Sequence, residues 1–261
     1  MLDTRALRKL AADFFAGGSH HALAEDDFLA VAHHAAGGIA RVNYELGVGE
    51  QTFHASAEDG PEQRVGVQAS VGRWTLIGRF GVSPVGSSYH TSQEGEAWFS
   101  LLQPQKSSGT SLAMGGGMLH EPDGVDVVQA RIVAGQDWSK WRLHGNALFQ
   151  KPLASGRDAV DLITSVGWAR RLSTAVSLGV EALGEDLEGF WDAEEAEGGA
   201  RMLVGPSLHI APPAHKWQLS IAGGPTFHPT NSGRSSDALR DLPPITRSHG
   251  YAFRMSFGTS F

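Results

Sequence analysis

The sequence predicts an all-β fold, a single antiparallel up-and-down transmembrane β-barrel of about 12 strands, preceded by a short N-terminal helical segment. Three observations support this fold. Beyond Gly38 the apolar residues recur with a period of two, as in β-strands with one apolar face. The connections alternate between long and short, and aromatic residues fall at alternate strand ends. Together these patterns are typical of strands that run up and down through lipid.

The first element is a helical segment at residues 1–37. Asp3 or Thr4 can cap a helix, and apolar residues follow at helical spacing. The segment has basic residues, a weakly apolar stretch and a small-residue site, which together are a poor match to an export signal. It is therefore either a degenerate or truncated export signal, or an amphipathic helix at a start site placed too late. The barrel is expected to cover residues 38–261.

The strands then follow one another closely, and no helix separates them, which argues against a βαβ fold. The first strand is interpreted as one long strand with a bulge near Gly49, where the alternation changes parity. The segment 95–118 is the least clear, so ten strands is the alternative count. We expect strands at about 42–57, 65–71, 74–82, 95–102, 110–118, 128–134, 141–149, 160–168, 176–182, 202–210, 217–227 and 250–261.

The connections predict how these strands are threaded. The segments 83–94, 184–199 and 229–249 are long, whereas the turn at 72–73 is minimal. Membrane barrels have short turns at one rim and long loops at the other. An even number of strands puts both ends of the barrel on the short-turn side.

The aromatic residues are sorted in agreement with this threading. Two rings of aromatic residues indicate girdles at the two membrane interfaces. A soluble β-sandwich with core tryptophans is the alternative, but it gives no reason for such sorting. The short-turn rim receives Trp74, Trp138, Trp141, Trp168 and Trp217, and the opposite rim receives Phe53, Phe80, Phe149, Phe227 and Tyr251.

The last twelve residues, "GYAFRMSFGTSF", alternate strictly and carry Tyr251, Phe253, Phe257 and Phe261 on one face. This ending resembles the C-terminal strand of bacterial outer-membrane β-barrel proteins of the porin-like class, found in Gram-negative bacteria. The resemblance implies a location in the outer membrane, with these four residues as the assembly signal read by the barrel assembly machinery. It also implies that outer-membrane lipid surrounds the strands and that the N-terminal segment lies in the periplasm.

With the apolar residues facing lipid, the alternate positions face the lumen. Five arginines and two acids stand at these positions, together with histidines. The excess of arginine predicts either a narrow, wet, basic channel that favours small anions or a network of salt bridges that fills the barrel. The expected lumen-lining residues are Arg79, Arg131, Arg142, His144, Asp161, Glu181, Arg201, His209 and Arg254.

Composition limits the other function classes. The net charge of -7 argues against a nucleic-acid partner, and the absence of cysteine excludes cysteine-ligated metals and a cysteine nucleophile. Seven acids in the segment 184–199 are interpreted as a solvated acidic loop rather than a cation site. The histidines include two adjacent pairs, whose members do not face each other on a helix. We expect no cofactor and no dedicated metal site.

The sequence therefore predicts a small porin or passive channel for transport, with a basic lumen and small anions as its solutes. A non-conducting structural or scaffold barrel that serves a periplasmic partner is the first alternative. An outer-membrane hydrolase is the second, because His144 and Asn146 share an inward face with Ser165 one strand away. No GxSxG motif accompanies these residues, so we expect no enzymatic activity.

Overall fold

The fold is seen in a computed structural model of the 261-residue chain. It describes residues 40–50, 52–54, 57, 59–103, 108–154, 160–185, 187, 201–228 and 249–261. The predicted helical segment at 1–37 and most of the acidic segment 184–199 lie outside these residues. Within the described ranges, no helix is long and apolar enough to cross a membrane.

The described residues form twelve β-strands. The prediction of twelve strands, including two in the ambiguous 95–118 segment, is therefore confirmed. The strands are β1 Ala40–Gly49, β2 Gly60–Val71, β3 Trp74–Val85, β4 Ser88–Leu102, β5 Gly109–His120, β6 Asp126–Asp137, β7 Trp141–Pro152, β8 Asp161–Arg171, β9 Val176–Glu185, β10 Arg201–Ile210, β11 Trp217–Phe227 and β12 His249–Ser260.

The strands close into one barrel in which every strand pairs antiparallel with its neighbours in sequence. The last strand closes the sheet by pairing with the first, with Val42 opposite Thr259 and Gly49 opposite Ala252. Closure leaves neither strand with an unpaired edge. The predicted up-and-down meander, with no crossing connection, is thus confirmed.

The period of two in the sequence becomes an outer and an inner face. On β2 and β3, Val67 and Leu76 are more than half exposed, whereas Ser70 and Thr75 are fully buried. The outer face carries the apolar residues, including Tyr251, Phe253 and Phe257 on β12. A closed sheet satisfies its backbone hydrogen bonds internally, so such an apolar exterior can lie against lipid.

The predicted long first strand is wrong. β1 ends at Gly49, whose φ of 117° is a backbone conformation that other residues rarely adopt. Residues 52–54 leave the sheet instead of continuing it past a bulge. The apparent change of parity after Gly49 marks a connection whose side chains turn into the barrel.

The predicted long connection at 83–94 is also wrong. β3 and β4 extend to Val85 and Ser88, and only Gly86 and Ser87 join them. Gly86 has a φ of 60°, which suits the left-handed position of a tight turn. At this end of the hairpin the side chains of 87–92 are mostly polar on both faces, so no apolar alternation reveals the strand.

Candidate functional site

The barrel interior is the candidate site, and the structure places every predicted lumen residue on the strand face opposite the exposed apolar side chains. Four of these residues are almost fully buried, and the other five are half-buried. The buried ones are His144, Glu181, Arg201 and His209, and the half-buried ones are Arg79, Arg131, Arg142, Asp161 and Arg254.

A series of ion pairs crosses the inner face from β1 to β6. On β2, Arg64 donates from Nε to Glu45 on β1 at 2.6 Å, and its Nη1 lies 3.9 Å from Glu94 on β4. Between them, Arg79 on β3 donates from Nη1 to Glu94 at 2.8 Å and to Glu96 at 3.3 Å. Arginine and carboxylate thus alternate across the strands, as they must if charges are to be compensated away from bulk water.

The series continues across β5, which contributes no charge to it. Arg131 on β6 donates from Nε to Glu96 on β4 at 3.0 Å. This contact passes over Gly117, where an added Cβ would lie 2.1 Å from the carbonyl oxygen of Gly95 and 3.0 Å from Cγ of Glu96. We call the set Glu45, Arg64, Arg79, Glu94, Glu96 and Arg131 the ion-pair ladder.

None of the three acids in the ladder was predicted from the sequence, since only Asp161 and Glu181 were expected as inward acids. Their signal was present, because Glu94 and Glu96 alternate with Gly95 and Ala97. These residues stood inside or beside the supposed long connection, so they were not assigned to a face. Further inward acids outside the ladder are Glu62, Asp137 and Glu185, so carboxylates match the interior arginines more closely than the sequence predicted.

Between β1 and β2, residues 52–54 lie inside the barrel against Glu62. The Oε1 atom of Glu62 accepts hydrogen bonds from Thr52 N at 2.6 Å, Thr52 Oγ1 at 2.8 Å and Phe53 N at 3.1 Å. Its Oε2 accepts one from Ser83 Oγ at 2.8 Å and lies 3.1 Å from Nδ1 of His54. We call the described residues of this connection, 50, 52–54, 57 and 59, the inward connection. The fully buried carboxylate of Glu62 therefore holds the inward connection in place.

Phe53 is the side chain that the inward connection presents to the interior. The guanidinium carbon of Arg64 lies 4.5 Å from the centre of its ring, and that of Arg254 on β12 lies 5.4 Å away. Gly47 makes room, because a Cβ there would lie 3.0 Å from Phe53 Cε2 and 2.1 Å from Thr52 Oγ1. The prediction that Phe53 belongs to the outer aromatic girdle is wrong, since its ring contacts interior arginines.

An apolar patch lies beside the ion-pair ladder, on the side of the short turns. Ile77, Trp98 and Val133 form a buried cluster on β3, β4 and β6. At the end of β6, next to the short β6–β7 turn, Asp137 lies 3.1 Å from Nε of Arg142 and 3.0 Å from Nε2 of His144. Two of the predicted lumen residues thus share one carboxylate that the sequence analysis did not single out.

The opposite wall, β8 to β12, carries small polar side chains and fewer ion pairs among its described residues than the ladder does. Ser177, Ser207 and Ser256 are nearly fully buried there. His209 Nδ1 lies 2.7 Å from Ser220 Oγ. Arg201 donates to Glu185 at 3.0 Å and to the backbone oxygen of Glu50 at 3.2 Å, which ties this wall to the inward connection. The remaining predicted lumen residues, Asp161, Glu181 and Arg254, also lie on this wall.

The hydrolase alternative gains no support from the geometry. His144 is engaged with Asp137 at 3.0 Å, and Asn146 accepts a 3.5 Å hydrogen bond from Arg131. Among the described residues, Ser165 Oγ has no hydrogen-bond partner. The three side chains therefore do not form the linked nucleophile, base and orienting group that such chemistry requires.

Comparison with known proteins identifies the fold. No protein-family model and no curated protein matches the chain. The KdgM porin in complex with disordered oligogalacturonate is similar in structure, with a TM-score of 0.57 and 8% identity over 85% of this chain and 99% of that chain. An outer-membrane channel from Pseudomonas putida F1 gives 0.55 and 10% identity over 85% and 94%. The NanC porin gives 0.52 and 8% identity over 84% and 100%.

These similarities concern the fold, because the sequence identities are far too low to carry a function. Together with the exposed apolar exterior, they support a location in the bacterial outer membrane. The chain has the closed twelve-stranded barrel fold of bacterial outer-membrane porins.

Proposed function

We propose that this chain is a porin-like passive channel with a narrow, charge-lined lumen. The observation that carries the proposal is the contrast between the two faces of the barrel. The outer face is apolar, whereas the inner face carries arginines, carboxylates, histidines and serines from every part of the wall. A barrel with no need for water could be filled with apolar side chains at less electrostatic cost.

The nine predicted interior residues are proposed to line this lumen. The predicted basic character needs adjustment, because Glu45, Glu62, Glu94, Glu96 and Asp137 offset much of the arginine charge. We therefore propose a weak anion preference that depends on arginines without a carboxylate partner. Small solutes suit the lumen, because the inward connection and its Phe53 narrow it from one side.

The remaining predictions follow from the membrane location. We propose that the segment 1–37 lies on the periplasmic side and that the exposed residues Tyr251, Phe253, Phe257 and Phe261 form the signal for the barrel assembly machinery. Phe261 donates its backbone N–H to the carbonyl of Ala40 at 3.0 Å, so the signal residues lie on the strand that closes the barrel.

A non-conducting scaffold barrel is the second candidate, favoured by one observation. Many inward side chains are nearly fully buried, among them Glu96, Gln129, His144 and Glu181, so they contact one another rather than open water. A periplasmic partner would then use the barrel as a membrane anchor. The two candidates differ in whether ions pass through the barrel.

Reconstitution distinguishes them. The refolded full-length chain is added to a planar lipid bilayer in KCl, and single-channel currents are recorded under an applied potential. A passive channel gives discrete steps with an ohmic current–voltage relation. Protein whose folding is verified by its resistance to denaturation in cold detergent, but which gives no steps, would refute the channel and leave the scaffold.

A further inference from the structure

Arg254 differs in its partners from five other interior arginines. Arg64, Arg79, Arg131, Arg142 and Arg201 each lie within 4.0 Å of a carboxylate. In the part of the chain that the structure describes, no carboxylate lies within that distance of Arg254, and its buried Nε has no hydrogen-bond partner. What it contacts instead is the ring of Phe53.

The acids nearest to Arg254 do not compensate for this. Glu62 and Glu181 are close enough to attract it electrostatically. Glu62, however, is already engaged by Thr52, Phe53, His54 and Ser83. Glu181 is buried and makes an interaction of its own. The contact with an aromatic ring occupies the face of the guanidinium and leaves its N–H edge available.

Two other arginines surround the same place. Arg64 contacts the same Phe53 ring, and Arg201 is close enough to interact electrostatically with Arg254. Such like charges are unfavourable together. Arg64 and Arg201 are each compensated by a carboxylate, so Arg254 is the member of the three for which the described residues supply none. A cavity of about 10 Å³ adjoins Arg254, lined mainly by small and apolar residues together with Glu181. This space holds one water-sized particle.

We propose that Arg254, held against Phe53, is a binding site for one small monovalent anion inside the barrel, and that it sets the anion preference of the lumen. The size of the cavity restricts the ligand to a single-atom ion such as chloride, and excludes sugar acids. The selectivity consequence rests on the proposed channel function, whereas the binding itself does not.

Binding is tested on the full-length barrel folded in a neutral detergent, using the line width of the chloride-35 NMR signal. Arg254→Gln should weaken chloride binding about tenfold, the loss expected for one charge-assisted hydrogen bond. The control is Arg73→Gln, which removes an equal charge from the exposed β2–β3 turn and should change nothing. Fluoride, a single-atom ion, should displace chloride from the wild-type protein, whereas gluconate should not.

A second variant covers failure of Arg254→Gln to fold. Phe53→Leu keeps the guanidinium but removes the ring, so it should weaken chloride binding by a few-fold. Equal line broadening in wild type and in whichever Arg254 or Phe53 variant folds would show that the cavity holds a water only, and would overturn the site. Displacement of chloride by gluconate as readily as by fluoride would overturn the size limit.

Selectivity is measured separately, as the reversal potential in a tenfold KCl gradient across a planar bilayer. Wild type and Arg73→Gln should favour chloride, and Arg254→Gln should lose that preference. A barrel that binds chloride through Arg254 but passes no current would refute the channel and leave the site. A conducting barrel whose reversal potential and chloride binding are unaffected by Arg254→Gln would refute the site and leave the channel.

Discussion

The two walls of the barrel interior handle charge differently. On β1 to β6, the ion-pair ladder places each arginine against carboxylates of the next strand or of the strand after it, at distances such as 2.8 Å from Arg79 to Glu94 and 3.0 Å from Arg131 to Glu96. On β8 to β12, buried serines stand beside a separate ion pair between Arg201 and Glu185, and Arg254 lies against an aromatic ring.

The comparison teaches that the same residue type does different work according to its cross-strand partners. A paired arginine neutralises a carboxylate and stabilises the wall, because removing either member leaves a charge that water cannot fully solvate. An arginine without such a partner stabilises less but retains its hydrogen-bonding capacity for a solute. The number of interior arginines therefore says less about selectivity than the identity of their neighbours.

The largest effect should follow from breaking the ladder at its most buried carboxylate. Glu96→Ala removes a carboxylate that lies 3.3 Å from Arg79 and 3.0 Å from Arg131. Arg79 keeps Glu94 at 2.8 Å, but Arg131 keeps only a contact of 4.0 Å with Glu94, so we expect a loss of about 3–5 kcal/mol in the free energy of unfolding. Urea titration of the barrel refolded in lipid vesicles measures it. Ser177→Ala on the opposite wall should cost less than about 1 kcal/mol, and an equal cost would abolish the contrast.

A smaller effect is expected where the ladder crosses β5. Gly117→Ala places a Cβ 2.1 Å from a backbone oxygen, which forces the strands or Glu96 to shift, and overpacking of this kind costs about 1–3 kcal/mol. The matched control is Gly78→Ala, where an outward Cβ meets no atom within 4 Å. Similar urea midpoints for both variants would show that the ladder does not need the bare surface of β5.

The inward connection can be released without touching the ladder. Glu62→Ala leaves the N–H groups of Thr52 and Phe53 without their acceptor, at a cost of about 1–3 kcal/mol. If the inward connection narrows the lumen, the single-channel conductance should rise. Glu121→Ala, at the β5–β6 turn, is the control that should leave conductance unchanged. Unaltered conductance in the folded Glu62→Ala barrel would show that another part of the wall sets the width.

The smallest effect is the pH dependence of stability that arises from Glu50, which follows β1 and contacts the end of β11 on the opposite wall. Burial raises the pKa of Glu50, but contacts with His228 and Thr226 outweigh it and hold the pKa below its ordinary value. A lowered folded-state pKa gives stability that is present above the unfolded pKa and is lost as pH falls through the folded value. Wild type should therefore lose stability below about pH 4.5, and Glu50→Gln should remove part of that loss. Parallel acid titrations of urea midpoints would reveal it.

Most of the fold could be predicted from the sequence, because lipid on one side and polar groups on the other impose a period of two. A strand cannot be recognised by this period where both of its faces are polar. At residues 87–92 the side chains are mostly polar on both faces, so the β3–β4 hairpin was mistaken for a loop. At Phe53 an aromatic side chain matched the expected girdle, although its ring turns inward towards Arg64.

The site was harder to predict than the fold. Parity alone was enough to place Arg79, Arg131 and Arg254 on the inner face. It could not show which carboxylate each one meets, because partners such as Glu96 and Arg131 lie on strands that are not adjacent, with β5 between them. The contact between Arg254 and Phe53 depends on the β1–β2 connection, for which the residue pattern predicts a strand instead.

The pairing of β12 with β1 makes the barrel a candidate for circular permutation. Phe261 and Ala40 are hydrogen-bonded neighbours, so a short linker can join them while new ends are opened at Gly86 and Ser87. Every strand pair would persist, and the permuted barrel should refold in detergent. The aromatic residues of β12 would then occupy the middle of the chain. Efficient refolding in vitro with poor insertion in cells would show that the last strand closes the barrel wherever it stands in the chain, but is recognised by the assembly machinery only at the C-terminus.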